Sequence, residues 1–136
     1  MGPEPLGAPY RPAPDLRLLT AAFEAAYDVI LITDRTGSIL WVNPAFTRVS
    51  GYSASDALGA NPRLLKSGAH DESFYASVWR TILNGSVWRG EFINRRKDGS
   101  FYYEQKTITP VCSEQGEITH FIAVGQDITE RRRAEE

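Results

Sequence analysis

Apolar residues recur with a period of two in some stretches of this chain and with a helical period in others. From Trp88 to Val111, two β-rich runs flank Lys97-Asp98-Gly99-Ser100. Asp-Gly between such runs is the strongest short-range hairpin signal. Period-two counting puts Trp88, Gly90, Phe92 and Asn94 on one face of the first strand, and Tyr102, Glu104, Lys106 and Ile108 on one face of the second. With the apolar members marking the inside, Asn94, Glu104 and Lys106 also point into the domain. A buried amide, carboxylate and ammonium need partners, which are each other, water or a small ligand with polar edges.

Upstream, Asp15 to Tyr27 predicts a helix capped by Asp15, and Val29–Thr33 a short buried strand. Asp34–Gly37 turns the chain and Ser38–Val42 pairs back as a second strand. Asn43-Pro44 opens a helix that Gly51 ends, because asparagine caps and proline fits the first helical position. Ser53 and Asp56 have capping-box spacing in a short helix closed by Gly59, and Asn61–Gly68 reads as loop. Asp71 to Leu83 predicts a longer helix with Phe74, Val78 and Ile82 on its apolar side.

After the hairpin, Ile118–Gln126 is the last strand, with Ile122 and Val124 as its alternating apolar residues. Thr129 is expected to cap a polar helix that starts at Glu130. The order β-β, several short helices, β-β-β predicts an α+β fold: a five-stranded antiparallel sheet with short helices over one face. Residues 1–14, with five prolines and two glycines, read as a flexible arm. Residues 15–129 then form the domain, with helix 15–27 as its N-terminal cap, and residues 130–136 begin a connector helix.

Composition narrows the function. A chain of 136 residues builds one core. A net charge of −2 gives no general attraction to nucleic acid or to anionic membrane. No apolar run approaches the roughly 20 residues needed to cross a bilayer, and the start of the chain lacks a secretion-signal pattern. The single cysteine, Cys112, excludes an internal disulfide and a cysteine-based zinc site, which suits the cytoplasm. There is no nucleophile–base pairing, phosphate-cradling glycine loop or metal-ligand cluster, so no enzyme is expected.

Asn43-Pro-Ala-Phe46, Gly51-Tyr52, Leu58-Gly59, Trp88-Arg-Gly-Glu91, Asn94-Arg-Arg-Lys-Asp-Gly99, Thr109-Pro110 and Asp127-Ile-Thr129, in this order and spacing, resemble the PAS sensory-domain family over about residues 18–129. The resemblance implies a sheet cupping a pocket, used in bacterial signalling proteins to sense or to dimerise. Asp127-Ile-Thr-Glu-Arg-Arg132 looks like the usual exit into a signalling helix that feeds a C-terminal effector such as a two-component kinase. A homodimer is part of the same expectation.

Within the family, the chain is similar to flavin-binding redox sensors of nitrogen-fixation and aerotaxis regulators, and FAD is the implied cofactor. Gly59-Ala-Asn61-Pro-Arg63 lines up with the flavin-binding segment of light-sensing relatives, but Pro62 stands where their adduct cysteine is. Asn94 falls at their ring-contacting asparagine, Glu104 at a second asparagine, and Gly125 at a glutamine. The implied site is Asn94 and Glu104 at the ring edge, Trp79, Trp88 and Ile108 as walls, and Asn61 on the ribityl side. Arg63 and Lys66 are placed to meet phosphates. Three alternatives stay open. The first is a cofactor-free dimerisation or interaction module, with Phe101 and Tyr103 exposed on the outer face. The second is a sensor of a colourless small molecule, and the third is a haem sensor using His70.

Overall fold

The computed structural model describes residues 15–136; the predicted arm lies outside the described residues. Five strands form one antiparallel sheet in the order β2-β1-β5-β4-β3. They are β1 (Val29–Asp34), β2 (Ile39–Val42), β3 (Trp88–Arg95), β4 (Phe101–Cys112) and β5 (Ile118–Asp127). Between β2 and β3 lie α2 (Pro44–Ser50), α3 (Ala54–Ala57), a 3-10 turn (Pro62–Leu65) and α4 (Glu72–Leu83). Helices α1 (Leu16–Ala25) and α5 (Thr129–Glu135) stand at the two ends. The predicted α+β fold is the observed one.

Helices α1 to α4 each start where a side-chain oxygen takes a free backbone N–H. Asp15, Asn43 and Asp71 accept from Leu18, Phe46 and Phe74. Ser53 and Asp56 form the predicted capping box. Gly51 ends α2 with φ +80°, a left-handed turn that costs glycine nothing. The expected loop 61–68 contains the 3-10 turn instead, and Asn61 caps it by accepting from the Arg63 N–H at 3.0 Å.

The core lies between the inner sheet face and α2, α3 and α4. Leu31, Phe46, Val78, Ile82, Phe92 and Phe121 are buried there. On β4 the inward residues are Tyr102, Glu104, Lys106 and Ile108, as the alternation predicts. On strand β5, Phe121, Ala123 and Gly125 face inward, while Val124 is exposed and Ile122 is half-buried on the outer face. The inner face at this point has to be small, as the site shows.

Strand β3 is an edge strand, and the segment after the 3-10 turn covers it. The Ser67 hydroxyl donates to the Ile93 carbonyl at 2.6 Å, Lys66 bridges to Asn94, and the Ile93 N–H donates to His70 Nε2 at 2.8 Å. The hairpin tip docks on α2 and α3. There the Lys97 ammonium meets Asp56 at 2.9 Å and the Arg96 guanidinium reaches the Val49 carbonyl at 2.9 Å.

One end-element expectation changes. Thr129 is the first residue of α5 and makes no cap of its own. Asp127 Oδ1 accepts from the Thr129 N–H at 2.9 Å and from its hydroxyl, and the threonine oxygen accepts from the Tyr103 N–H at 3.0 Å. The hydroxyl thus extends the β4–β5 ladder one step past the end of β5. Helix α1 packs beside α2, with Phe23 edge-on to Trp41 at 4.6 Å. Phe101 remains 52% exposed.

Candidate functional site

A cavity of about 230 Å3 opens between the inner sheet face, the 61–66 segment and α4. Strands β1, β4 and β5 contribute Leu31, Thr33, Ile108, Phe121 and Ala123, and α4 contributes Tyr75, Val78, Trp79 and Ile82. These walls are mostly apolar, with a few convergent polar groups from Asn61, Tyr75, Asn94 and Lys106, the usual make-up of a small-molecule site. Arg63 and Lys66 are exposed residues of the lining and form its rim.

The small residues of β5 explain the space. Ala123 lines the cavity, and Gly125 leaves room for the Glu104 side chain, whose carboxylate lies where a Cβ at 125 would be. At the opposite rim, Gly37 in the β1–β2 turn allows two close approaches. An added Cβ there would sit 2.9 Å from Asn61 Nδ2 and 3.1 Å from the Trp79 ring. Trp79 in turn stands edge-on to Phe121, with centroids 5.8 Å apart.

The polar floor is a cross-strand network. Asn94 Nδ2 donates to Glu104 Oε1 at 2.9 Å, and the Lys106 ammonium is 3.6 Å from the same oxygen. All three side chains are buried. The lysine therefore pairs with Glu104 rather than reaching water at the rim. Beside them Tyr102 is 1% exposed, and burial, with the Glu104 charge adding, pushes its hydroxyl well above the ordinary value. Tyr75 carries the single buried side-chain polar atom without a partner among the described residues, its hydroxyl oxygen, and burial raises its proton affinity too.

Of the six residues expected at the site, Asn61, Trp79, Asn94 and Ile108 line the cavity. Glu104 and Trp88 do not. Glu104 lies behind Asn94, drawn over Gly125, so its contact with the cavity runs through the amide and the ammonium. Trp88 folds over Gly90 and packs on Phe74 and Phe92, with centroids 5.9 and 5.0 Å away. His70 is also committed elsewhere. Its Nε2 lone pair accepts the Ile93 N–H and its ring stacks on Phe74 at 3.9 Å, so that lone pair is not available to a haem iron.

Sequence reasoning left Lys106 and Tyr75 off the site. The strand alternation that placed Ile108 also places Lys106. Tyr75 lies four residues before Trp79 on α4, one helical turn away.

Comparison with known proteins bears on the family and the fold. The PAS family, described as the PAS fold, matches residues 17–128. A nitrogen fixation regulatory protein of Klebsiella oxytoca is 42% identical over 106 residues, 78% of this chain and 21% of that protein. The structure of an RNA-binding light-oxygen-voltage receptor superposes with a TM-score of 0.82 at 29% identity, covering 94% of this chain and 38% of that one. The PAS domain of a protein from Colwellia psychrerythraea superposes with a TM-score of 0.79 at 27% identity, covering 85% of this chain and 98% of that domain. The chain thus spans about a fifth of the length of the nitrogen fixation regulators it matches.

Proposed function

This chain belongs to the PAS family of sensory and regulatory domains, and we propose that it binds FAD and senses redox state or oxygen. The observation that carries this reading is the Asn94 amide set in the floor of a cavity walled by Trp79, Phe92, Ile108 and Phe121. Isoalloxazine asks for flat apolar walls and hydrogen-bonding groups at one edge. At about 230 Å3 the cavity is smaller than the roughly 300–1,000 Å3 of pockets that enclose a whole drug-sized ligand. It suits one ring system, with the remainder of the dinucleotide passing Asn61 toward Arg63 and Lys66. The unpartnered Tyr75 hydroxyl is a further donor toward the ligand.

Bound flavin would supply reversible uptake of electrons with a proton. The chain's part is to answer a change at the ring edge. Asn94 can present either its oxygen or its NH2 to the cavity, and exchanging them breaks the bond to Glu104. Glu104 pairs in register with Asp127, whose carboxylate holds the start of α5. The Arg132 guanidinium ties α5 to Glu91 on β3. A rearranged floor therefore loads the exit helix directly. An effector domain further along the parent protein would receive that load, in the cytoplasm.

Helix α1 supports a homodimer. It has no buried residue, and Leu16, Leu18 and Leu19 are 79%, 61% and 51% exposed. The same face favours the second reading, a cofactor-free interaction module.

An absorption spectrum of the protein purified from cells separates the two. The flavin reading expects bands that bleach with dithionite and return in air, with FAD released on heating. A colourless protein that refuses reconstitution with FAD removes that reading and leaves the interaction module.

A further inference from the structure

Three cationic residues line the cavity, and they are not equivalent. Arg63 and Lys66 are exposed at the rim, whereas Lys106 is 6% exposed. The Lys106 ammonium sits 4.7 Å over the Phe92 ring and 3.6 Å from Glu104, and it makes no hydrogen bond among the described residues. An ammonium has three donors. One carboxylate at that distance balances the charge but leaves donors of the ammonium directed at the cavity.

The sheet explains why the carboxylate does not cover the ammonium. Gly125 pairs with Lys106 in register, and its missing side chain lets Glu104 lie back over β5, away from the cavity. Lys106 is therefore neutralised from the sheet side and left open on the cavity side. A second donor, the buried Tyr75 hydroxyl, comes from α4 and has no partner among the described residues. Asn61 Oδ1 is taken up by its own cap. Lys106 and Tyr75 thus bring donors to the cavity, while Asn94 can offer either a donor or an acceptor.

We propose that the ligand presents an oxygen-acceptor edge, carbonyl or carboxylate, to Lys106, with another acceptor within reach of Tyr75. The ligand class is a planar aromatic carrying such oxygens. This rests on the reading of the cavity as the ligand site and deepens the flavin proposal by naming the residue that selects the ligand. Lys106 is a specificity residue in this account, because an apolar ring of the same size without the oxygens would leave its donors unmet.

The test compares the wild-type protein with Lys106→Met and with Glu104→Gln/Lys106→Met, titrated with FAD and with 2-naphthoate. The double variant removes both charges together, so no carboxylate is left unpaired, and thermal melts confirm that each variant is folded. The expected result is an affinity loss of at least about tenfold in both variants, the scale of a charge-assisted hydrogen bond, and a smaller loss in Tyr75→Phe. Equal affinity for FAD in wild type and the folded double variant overturns the assignment of Lys106 while the flavin reading stands. Binding of 2-naphthoate but not FAD, lost with Lys106, removes the flavin reading and upholds the acceptor-edge assignment. A wild-type protein that binds neither probe overturns both.

Discussion

The carboxylate of Glu104 on β4 lies against the backbone of Gly125 on β5, so close that the methyl group of an alanine there would collide with it. The collision is not with a free side-chain end: Glu104 is 2% exposed and held by Asn94. Gly125→Ala should therefore cost about 1–3 kcal/mol, the range for overpacking a tight interior. Urea unfolding measures it. Shortening the acid in the same background, Glu104→Ala with Gly125→Ala, should cost less than the sum of the single changes. Additive effects would show that the two residues do not share the space described.

Asn43 carries more of the N-terminal half than any other polar side chain described. Its Oδ1 accepts from Ile30 at 3.0 Å and Phe46 at 3.2 Å, and its Nδ2 donates to the carbonyls of Asp28 at 2.9 Å and Phe23 at 3.3 Å. One amide at 1% exposure thereby joins β1, the start of α2 and the end of α1. Asn43→Ala strands several buried groups at once, each costing roughly 1–3 kcal/mol. The expected loss is at least about 3 kcal/mol, with Asn43→Asp intermediate because it keeps both acceptor contacts and loses the donor ones. A melting temperature unchanged in Asn43→Ala would contradict this role.

The sequence displayed the framework through local chemistry. Caps at Asp15, Asn43, Ser53 and Asp71 depend on neighbours within a few residues, so their positions are readable without the fold. Strands β3 and β4 were readable because large apolar residues alternate with polar ones along them. The facing of strand β5 was harder to read, for a physical reason. Its inward positions beyond Phe121 are Ala123 and Gly125, kept small so that the cavity and the Glu104 side chain have room, and its larger residues Ile122 and Val124 lie outside. Trp88 misled because strand parity gives a face but not which of two inward neighbours a ring will cover. It folds onto Gly90 and away from the cavity.

His70 should make stability depend on pH near neutrality. Its Nε2 accepts from the Ile93 N–H, so the ring is neutral with its proton on Nδ1. Burial lowers its proton affinity, with Asp71 acting in the opposite direction. The unfolded chain therefore takes up the proton first, near the ordinary value of about 6.5. The stabilisation is present above that pH and is lost as pH falls through the lower folded value. Urea midpoints measured between pH 7.5 and pH 5 should fall for the wild type. His70→Gln, which supplies a non-titrating acceptor, should be flatter over the same window. Parallel slopes would place the pH dependence elsewhere.

Thr129 sets how firmly the exit helix is attached. The Tyr103 N–H has passed the end of the β5 ladder, and the threonine hydroxyl is the acceptor that replaces the missing strand. The same hydroxyl donates to Asp127, whose other carboxylate oxygen meets the Arg96 guanidinium at 3.4 Å. Arg96 also reaches the Phe101 carbonyl at 3.0 Å and stacks over Tyr102, so one group joins the hairpin to the start of α5. Thr129→Val keeps the shape and removes the oxygen, leaving a part-buried N–H unmet, at the lower end of about 1–3 kcal/mol. Because the loss is at the helix attachment, it should appear as local opening. Hydrogen exchange should quicken at Tyr103 and through residues 129–132, with β1 amides unchanged in their protection relative to global stability. Thr129→Ser should exchange like the wild type. If Thr129→Val leaves these amides as protected as before, α5 is held by the Arg132–Glu91 pair and not by the ladder extension.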